Sequence, residues 1–399
     1  MPTTSIKITW ALFQILLKEI AIFILMKVIF RFLRFAILLP GSCLLFIPGA
    51  NAQTFKRTEL PASIVHPIDS LAAEHENTFH YPGLAVAVAF KGHQLWTKGY
   101  GYADLEHHVR INPDEDLFRI GSISKTITAC ALVKLVKRKK INLDRPIGSY
   151  YSGFPGDKAN LTLRQLGGHL AGIRHYNGLE FFNQKHYYNC IDPLEVFIHD
   201  SLLFVPGTQY QYSTYGFTVM SAVMEKAIHV PFPEIVSREV IQPLHLVDLK
   251  TDEVDSIRYR RVSFYDFRDS ALVDAPMVDN SNKWAGGGFL CAADDLARFG
   301  YSLTSPGYLK KSTLKLLTTS QATADGKATG YGIGIRTGKD NKGRSWIGHS
   351  GGSIGGTSMM LVYPELDLVI VTLINLTSAN MDDIAFKIAD IVLDDGKDH

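Results

Sequence analysis

Three short stretches of the chain carry side chains whose type and spacing could break an acyl bond. Ser122-Ile123-Ser124-Lys125 sets a hydroxyl and an amine three positions apart, which places them on one face of a helix. Ile127, Ala131, Leu132, Leu135 and Val136 follow at helical period, so a helix is expected over 125–137 with Ser122 at its N-terminus. There the dipole and the free N–H groups favour negative charge developing at the hydroxyl. Apolar neighbours would desolvate Lys125, lower its pKa and leave a neutral amine usable as a base. Such a pair also arises by chance in long chains, where it reads as a Ser N-cap before an exposed Lys.

Tyr212-Ser213-Thr214 follows Pro206-Gly207-Thr208 and precedes Tyr215-Gly216-Phe217. A tyrosine on a loop beside a Ser–Lys pair can shuttle a proton to a leaving group; the plainer reading is a core aromatic in a Tyr-rich stretch. His349-Ser350-Gly351-Gly352 forms the third stretch. Small residues on a strand edge let a substrate backbone approach and add to the sheet, although a glycine-rich turn would look similar.

The elements that must position these groups are legible in outline. Gly83 to Phe90 (GLAVAVAF) and Gln94 to Tyr100 flank Lys91-Gly92 and read as a hairpin. Thr357 to Tyr363 and Asp367 to Ile374 read as a second, across Pro364-Glu365-Leu366. Helices are expected at Lys125–Lys137, Leu163–Leu170, Pro193–Ser201, Thr218–Ile228, Asp294–Ser302 and Met381–Asp394. Strands at both ends with helices between them predict an α/β protein of the α+β type: one antiparallel sheet flanked by helices, completed by the two ends of the chain, with a mostly helical subdomain beside it. The sheet part is expected over about 60–118 and 285–399 and the helical part over about 119–284, with a cleft between them.

Composition is compatible with this and names no partner. The 399 residues hold 41 Lys+Arg and 39 Asp+Glu, with 46% apolar and 20% charged side chains, near the average for globular proteins. Disorder, coiled coil and collagen are excluded, and nucleic acid is not indicated. Lys27, Arg31 and Arg34, the apolar run Phe35 to Pro48 and Ala50-Asn51-Ala52 follow the order of a secretory signal peptide cleaved before Gln53. Residues 1–52 are therefore expected to be a signal peptide or N-terminal membrane segment, with Met26 a candidate start. The domain proper is then expected over 53–399, exported to the periplasm or secreted, with membrane contact expected only through that segment if it stays uncleaved. Of the four cysteines, Cys43 lies in the leader, and Cys130, Cys190 and Cys291 allow at most one bridge; buried free thiols are the expectation.

Taken jointly, SxxK, then Y-S-x, then an H-S-G triplet, in that order and spacing, resemble the penicillin-recognising serine enzymes. FRIGSISKTITA, LDRPIGSYY, LGGHLAGIRHY, FVPGTQYQYSTYGFT and GGGFLCAADDLARFG are similar to class C β-lactamases and the related D,D-peptidases and esterases. HLAGIRHY, YSTYG and VDNSNKWAGGGFL resemble the mitochondrial serine β-lactamase-like branch and its bacterial relatives. The resemblance implies a β-lactamase/transpeptidase-like fold and catalysis through an acyl-enzyme without metal or organic cofactor. Ser122 would be the nucleophile, Lys125 its base and Tyr212 the proton shuttle. Thr214, His349, Ser350 and Gly351 would bind substrate, and the backbone N–H groups of Ser122 and Gly352 would form the oxyanion hole. The implied substrate is a small peptide, an ester or a β-lactam.

Two positions depart from that pattern. Thr214 stands where class C enzymes have Asn, and His349 stands where they have Lys. If His349 grips a substrate carboxylate as imidazolium, KM is expected to rise as pH climbs past about 6.5. Both departures argue against efficient β-lactam hydrolysis and leave peptidase or esterase action open. A penicillin-fold binding protein without catalysis is a further alternative. Other readings are weaker. Gly348-His349-Ser350-Gly351-Gly352 satisfies GxSxG, but the only later His is His399, and an α/β-hydrolase needs its acid and His after the nucleophile. The His pairs, His169 and His175 among them, lack the spacing of a metal site and read as packed or hydrogen-bonded residues.

Overall fold

The computed structural model describes residues 55–91, 93–379 and 383–395. The expected leader, Cys43 within it, and Met381 lie outside the described residues. One eight-stranded sheet is built from both ends of the chain. Its strands are β1 (Lys56–Arg57), β2 (Gly83–Phe90), β3 (Gln94–Asp104), β4 (Val109–Arg110), β5 (Arg336–Lys339), β6 (Ser345–Ser353), β7 (Gly356–Tyr363) and β8 (Leu368–Ile374). Their order is β1-β3-β2-β8-β7-β6-β5, with β4 on β3. All pairs are antiparallel except β1 with β3. The early hairpin meets the late one at the centre, Ala87 opposite Val371.

The alternation in GLAVAVAF is one of size rather than polarity, because both faces of β2 are covered. Leu84, Val86 and Val88 join one core with Ile64, Ile68 and Ala72 of α1 (Ala62–Phe79) and Ile384 and Ile388 of the C-terminal helix. Ala85, Ala87 and Ala89 face the other core, which holds Leu296, Phe299 and Leu303 of the helix Ala293–Thr304. Small side chains on that face let the helix approach the sheet closely.

Helix α1 has no counterpart in the sequence reading. Pro67 inside it and the polar run Glu74–Asn77 mask the buried stripe Ile64, Ile68, Ala72, His75. Two expected helices shrink: Leu163–Leu170 to Leu163–Gly167, and Pro193–Ser201 to a 3₁₀ turn over Asp192–Val196. The first stops because His169 adopts a left-handed φ of 61°.

Two helices frame the site. α2 (Ser124–Lys137) is buried on nearly every face of its first three turns, and α3 (Thr214–Ile228) begins four residues earlier than its apolar period suggests. Ser213 caps α3, its Oγ accepting the Gly216 N–H at 3.1 Å. A three-stranded sheet of Phe118–Arg119, Phe289–Cys291 and Leu249–Thr251 ties the segment before α2 to the glycine stretch 286–288. Arg119 locks this junction from inside: it donates to Asp252 Oδ2 at 2.7 Å and to Ile354 O at 2.8 Å. Cys130, Cys190 and Cys291 are buried free thiols, and burial pushes each thiol above its ordinary pKa.

Candidate active site

Ser122 sits in a 3₁₀ turn, Gly121–Ile123, that runs directly into α2. Its N–H belongs to the opening turn and has no intrahelical acceptor. The turn lies against β6, and glycine is required on both sides of the contact. Gly121 has φ +47°, and a Cβ there would come within 2.7 Å of Gly352 N. A Cβ on Gly351 would come within 2.0 Å of Ile120 O. Ser122 is half-buried and Gly352 exposed, so the backbone of β6 passes the hydroxyl at an open edge.

Lys125 is 0% exposed. Its Nζ lies 3.0 Å from Ser122 Oγ, 3.1 Å from Thr214 Oγ1, and in contact with Gly286 O. A neutral amine has two N–H donors and one lone pair, so Thr214 and Gly286 take the donors and the lone pair faces the Ser122 proton. After gaining that proton, the ammonium still finds three oxygens. Burial, then the charges of Arg336 and Lys283, hold its pKa well below the ordinary lysine range. Lys283 is itself buried, donating to Phe181 O at 3.1 Å, with its pKa pushed down to about 7, first by desolvation.

Tyr212 lies close enough to Ser122 for the serine to bear on its titration, and Lys125 Nζ lies 4.9 Å from the ring centroid. Burial raises its pKa, so it stays a phenol. Two histidines brace it. His169 Nδ1 accepts the Ser213 N–H at 3.1 Å and His175 Nδ1 accepts the Thr214 N–H at 3.2 Å. Their rings lie 4.3 and 5.7 Å from that of Tyr212. Each is a neutral imidazole, its pKa lowered first by desolvation and next by Lys125. Both are hydrogen-bonded residues, as their sequence context indicated, and the six-residue spacing in HLAGIRH was the available sign that they act together.

The structure brings Ser122, Lys125 and Tyr212 together and redistributes the binding positions. His349 is 1% exposed, accepts the Tyr331 hydroxyl at Nε2 over 2.7 Å, and donates from Nδ1 to Ser350 O. Desolvation drives its pKa well below the ordinary value, so it is no imidazolium and does not face a ligand. Thr214 is also buried, and its Oγ1 serves Lys125. Gly351 packs closely on Ile120 and Ser358. Ser350, half-buried, alternates with Gly352 toward the open edge.

A cation that sequence reasoning missed, Arg336, stands near the site instead. Arg336 is exposed on β5 opposite Gly348, its guanidinium 5.9 Å from the Tyr212 ring centroid. It forms no ion pair among the described residues. Nothing in its own sequence neighbourhood marks it; only strand register brings it to the site.

Comparisons with known proteins agree with this architecture. A family model described as beta-lactamase matches residues 68–392, from within α1 to within the C-terminal helix. The human mitochondrial serine beta-lactamase-like protein LACTB is 30% identical over 416 aligned positions, covering 77% of this chain and 76% of that protein. Penicillin-binding protein 4* of Bacillus subtilis is 23% identical, covering 70% and 64%. A D-stereospecific amidohydrolase from Streptomyces sp. superposes with a TM-score of 0.69 at 25% identity, covering 81% of this chain and 97% of its own. An octameric penicillin-binding protein homologue from Pyrococcus abyssi gives 0.72 at 23% identity, covering 83% and 77%. A match that begins in the first long helix and ends in the last, over a sheet closed by both chain ends, decides the relationship: the chain belongs to the beta-lactamase family, a serine hydrolase family with a penicillin-binding-protein-like fold.

Proposed function

We propose that the protein hydrolyses a peptide-like amide through an acyl-enzyme on Ser122. The observation that carries this reading is the meeting of the Lys125 amine and the Tyr212 phenol at one half-buried hydroxyl. Lys125 accepts the Ser122 proton as Oγ attacks the carbonyl carbon. The N–H groups of Ser122 and Gly352 receive the developing oxyanion. As the C–N bond breaks, Tyr212 gives its proton to the departing amine, and the Lys125 ammonium restores the phenol. Both groups are then neutral at the acyl-enzyme, and the Lys125 amine takes a proton from the water that attacks it, returning that proton to Ser122 Oγ as the acid leaves. A phenol held above its ordinary pKa suits the donor role, and an amine held below suits the acceptor.

The exposed guanidinium of Arg336 supports a substrate whose leaving part carries a carboxylate, as a carboxypeptidase substrate does. Esters fit the same chemistry, because their leaving group needs less help from Tyr212; β-lactams come third. Fluorophosphonate labelling followed by intact mass tests the reading, with one label expected on the wild type and none on Ser122→Ala. Equal labelling of the two would leave a penicillin-fold binding protein. Turnover of D-Ala-D-Ala peptides, p-nitrophenyl esters and nitrocefin, measured side by side, ranks the substrates.

Export is part of the proposal, supported by the basic–apolar–small order of residues 27–52. N-terminal sequencing of the purified protein should begin at Gln53; a retained Met1 or Met26 would remove this part.

A further inference from the structure

One polar atom beside Tyr212 and Thr214 has no task in that chemistry and no hydrogen-bond partner among the described residues. His175 Nδ1 accepts the Thr214 N–H, and an imidazole accepting there carries its proton on Nε2. Desolvation, then the charges of Lys125 and Lys283, keep the ring from taking a second proton, with a pKa lowered to about 4. The ring is held on three sides: by Thr214 N, by Tyr176 at 4.3 Å between centroids, and by Tyr212, which it meets at 88°. Its remaining edge, bearing Nε2, has no hydrogen-bond partner among the described residues and is not sealed from solvent. His169 makes the contrast plain, since its Nε2 is equally unpartnered but closed in by Tyr210, Phe217 and Tyr331.

Other polar atoms near this edge are already committed. Thr214 Oγ1 is bonded to Lys125, and Ser122 bears on the Tyr212 phenol. The group at Nε2 is thus an uncharged, rigidly oriented donor, which suits an uncharged acceptor such as a carbonyl oxygen rather than a carboxylate. It is also set apart from Arg336. The Arg336 charge bears on Lys125, His169 and His349, whereas the charges bearing on His175 are those of Lys125 and Lys283.

We propose that the His175 Nε2–H binds a carbonyl oxygen in the acyl portion of the substrate. The enzyme therefore prefers N-acylated amino-acid or peptidyl groups to simple acyl groups. This rests on the hydrolase reading above and adds the acyl-side specificity to it.

The experiment compares kcat/KM for N-acetylalanine p-nitrophenyl ester with that for p-nitrophenyl acetate. Wild type should favour the acylamino ester. His175→Ala should lower both rates but the first by about tenfold more, the ratio expected for one lost hydrogen bond. His175→Asn, which keeps an N–H donor, should recover part of the ratio. Equal losses on both esters would reduce His175 to a brace for the Thr214 turn and overturn the proposal, as would an unchanged ratio.

A second measurement works without turnover. Calorimetry on Ser122→Ala should show tighter binding of N-acetylalanine methyl ester than of methyl propionate, and the added His175→Ala change should erase the difference. If wild type hydrolyses neither ester, the hydrolase reading fails while this binding difference still decides the role of His175; no difference would overturn it.

Discussion

On the wall of the cleft built from α2 and α3, Lys125 and Thr214 are buried and their polar atoms bond to one another, to Ser122 and to Gly286 O. On the wall built from β5 and β6, His349 is sealed and Arg336 stands exposed with no ion pair among the described residues. The first wall is internally satisfied whichever atom holds the proton. The second presents a charge awaiting a counter-ion. Reactivity is therefore set by desolvation on one side and recognition by accessibility on the other, so substitutions on the two walls should fail in different ways.

The largest effects belong to the helical wall. Ser122→Ala and Lys125→Met should each lower kcat/KM by about 10³-fold or more, with no covalent acyl adduct in the intact mass. Lys125→Met also strips Gly286 O and Thr214 of a donor, so its melting temperature should fall while that of Ser122→Ala holds. Tyr212→Phe should cost about 10²–10⁴ on an amide and clearly less on a p-nitrophenyl ester, whose leaving group departs without a proton. Equal losses on both substrates would deny Tyr212 the donor role.

The strand wall should respond in KM. Arg336→Ala is expected to raise KM about tenfold for a carboxylate-bearing substrate and to abolish the salt dependence of that KM. His349→Phe instead leaves the buried Tyr331 hydroxyl without its acceptor, so its main effect should be a stability loss of about 1–3 kcal/mol in denaturant melts. Because His349 is neutral, KM should stay flat from pH 5 to 8. A rise centred near pH 6.5 would return the carboxylate to His349.

The smallest expected effect is on stability against pH. His175 has a folded pKa of about 4 against an ordinary 6.5. Between those values the unfolded chain binds more protons, so stability falls as pH drops from 6.5 toward 4. Urea midpoints of wild type should fall more between pH 7 and pH 4.5 than those of His175→Asn; parallel changes would mean that His175 does not titrate differently in the fold.

The meeting of Ser122 and Lys125 was legible because both lie within one helical turn, where spacing alone fixes geometry. Tyr212 was legible only jointly with them, since a loop tyrosine carries no periodicity. The two hairpins were readable from alternating apolar runs, and α1 was not, because Pro67 and a polar run interrupt its stripe. At 349 the residue type was read correctly and its burial was not. Whether an imidazole on β6 faces the cleft or Tyr331 depends on the neighbouring loop, over 330–335, and no local pattern encodes that choice. Arg336 and Gly348 meet through sheet register, which sequence spacing does not specify.

The touching backbones of Gly121 and Gly352 carry a consequence for the order of assembly. The two glycines enter the chain far apart, one before most of the inserted helices and the other after them. A nascent or truncated polypeptide ending ahead of β6 would own the reactive hydroxyl and amine but lack the floor on which a carbonyl must rest. On the proposed chemistry, catalytic competence should thus appear only once the last strands have been made and docked, and Ser122 would stay idle until synthesis is complete.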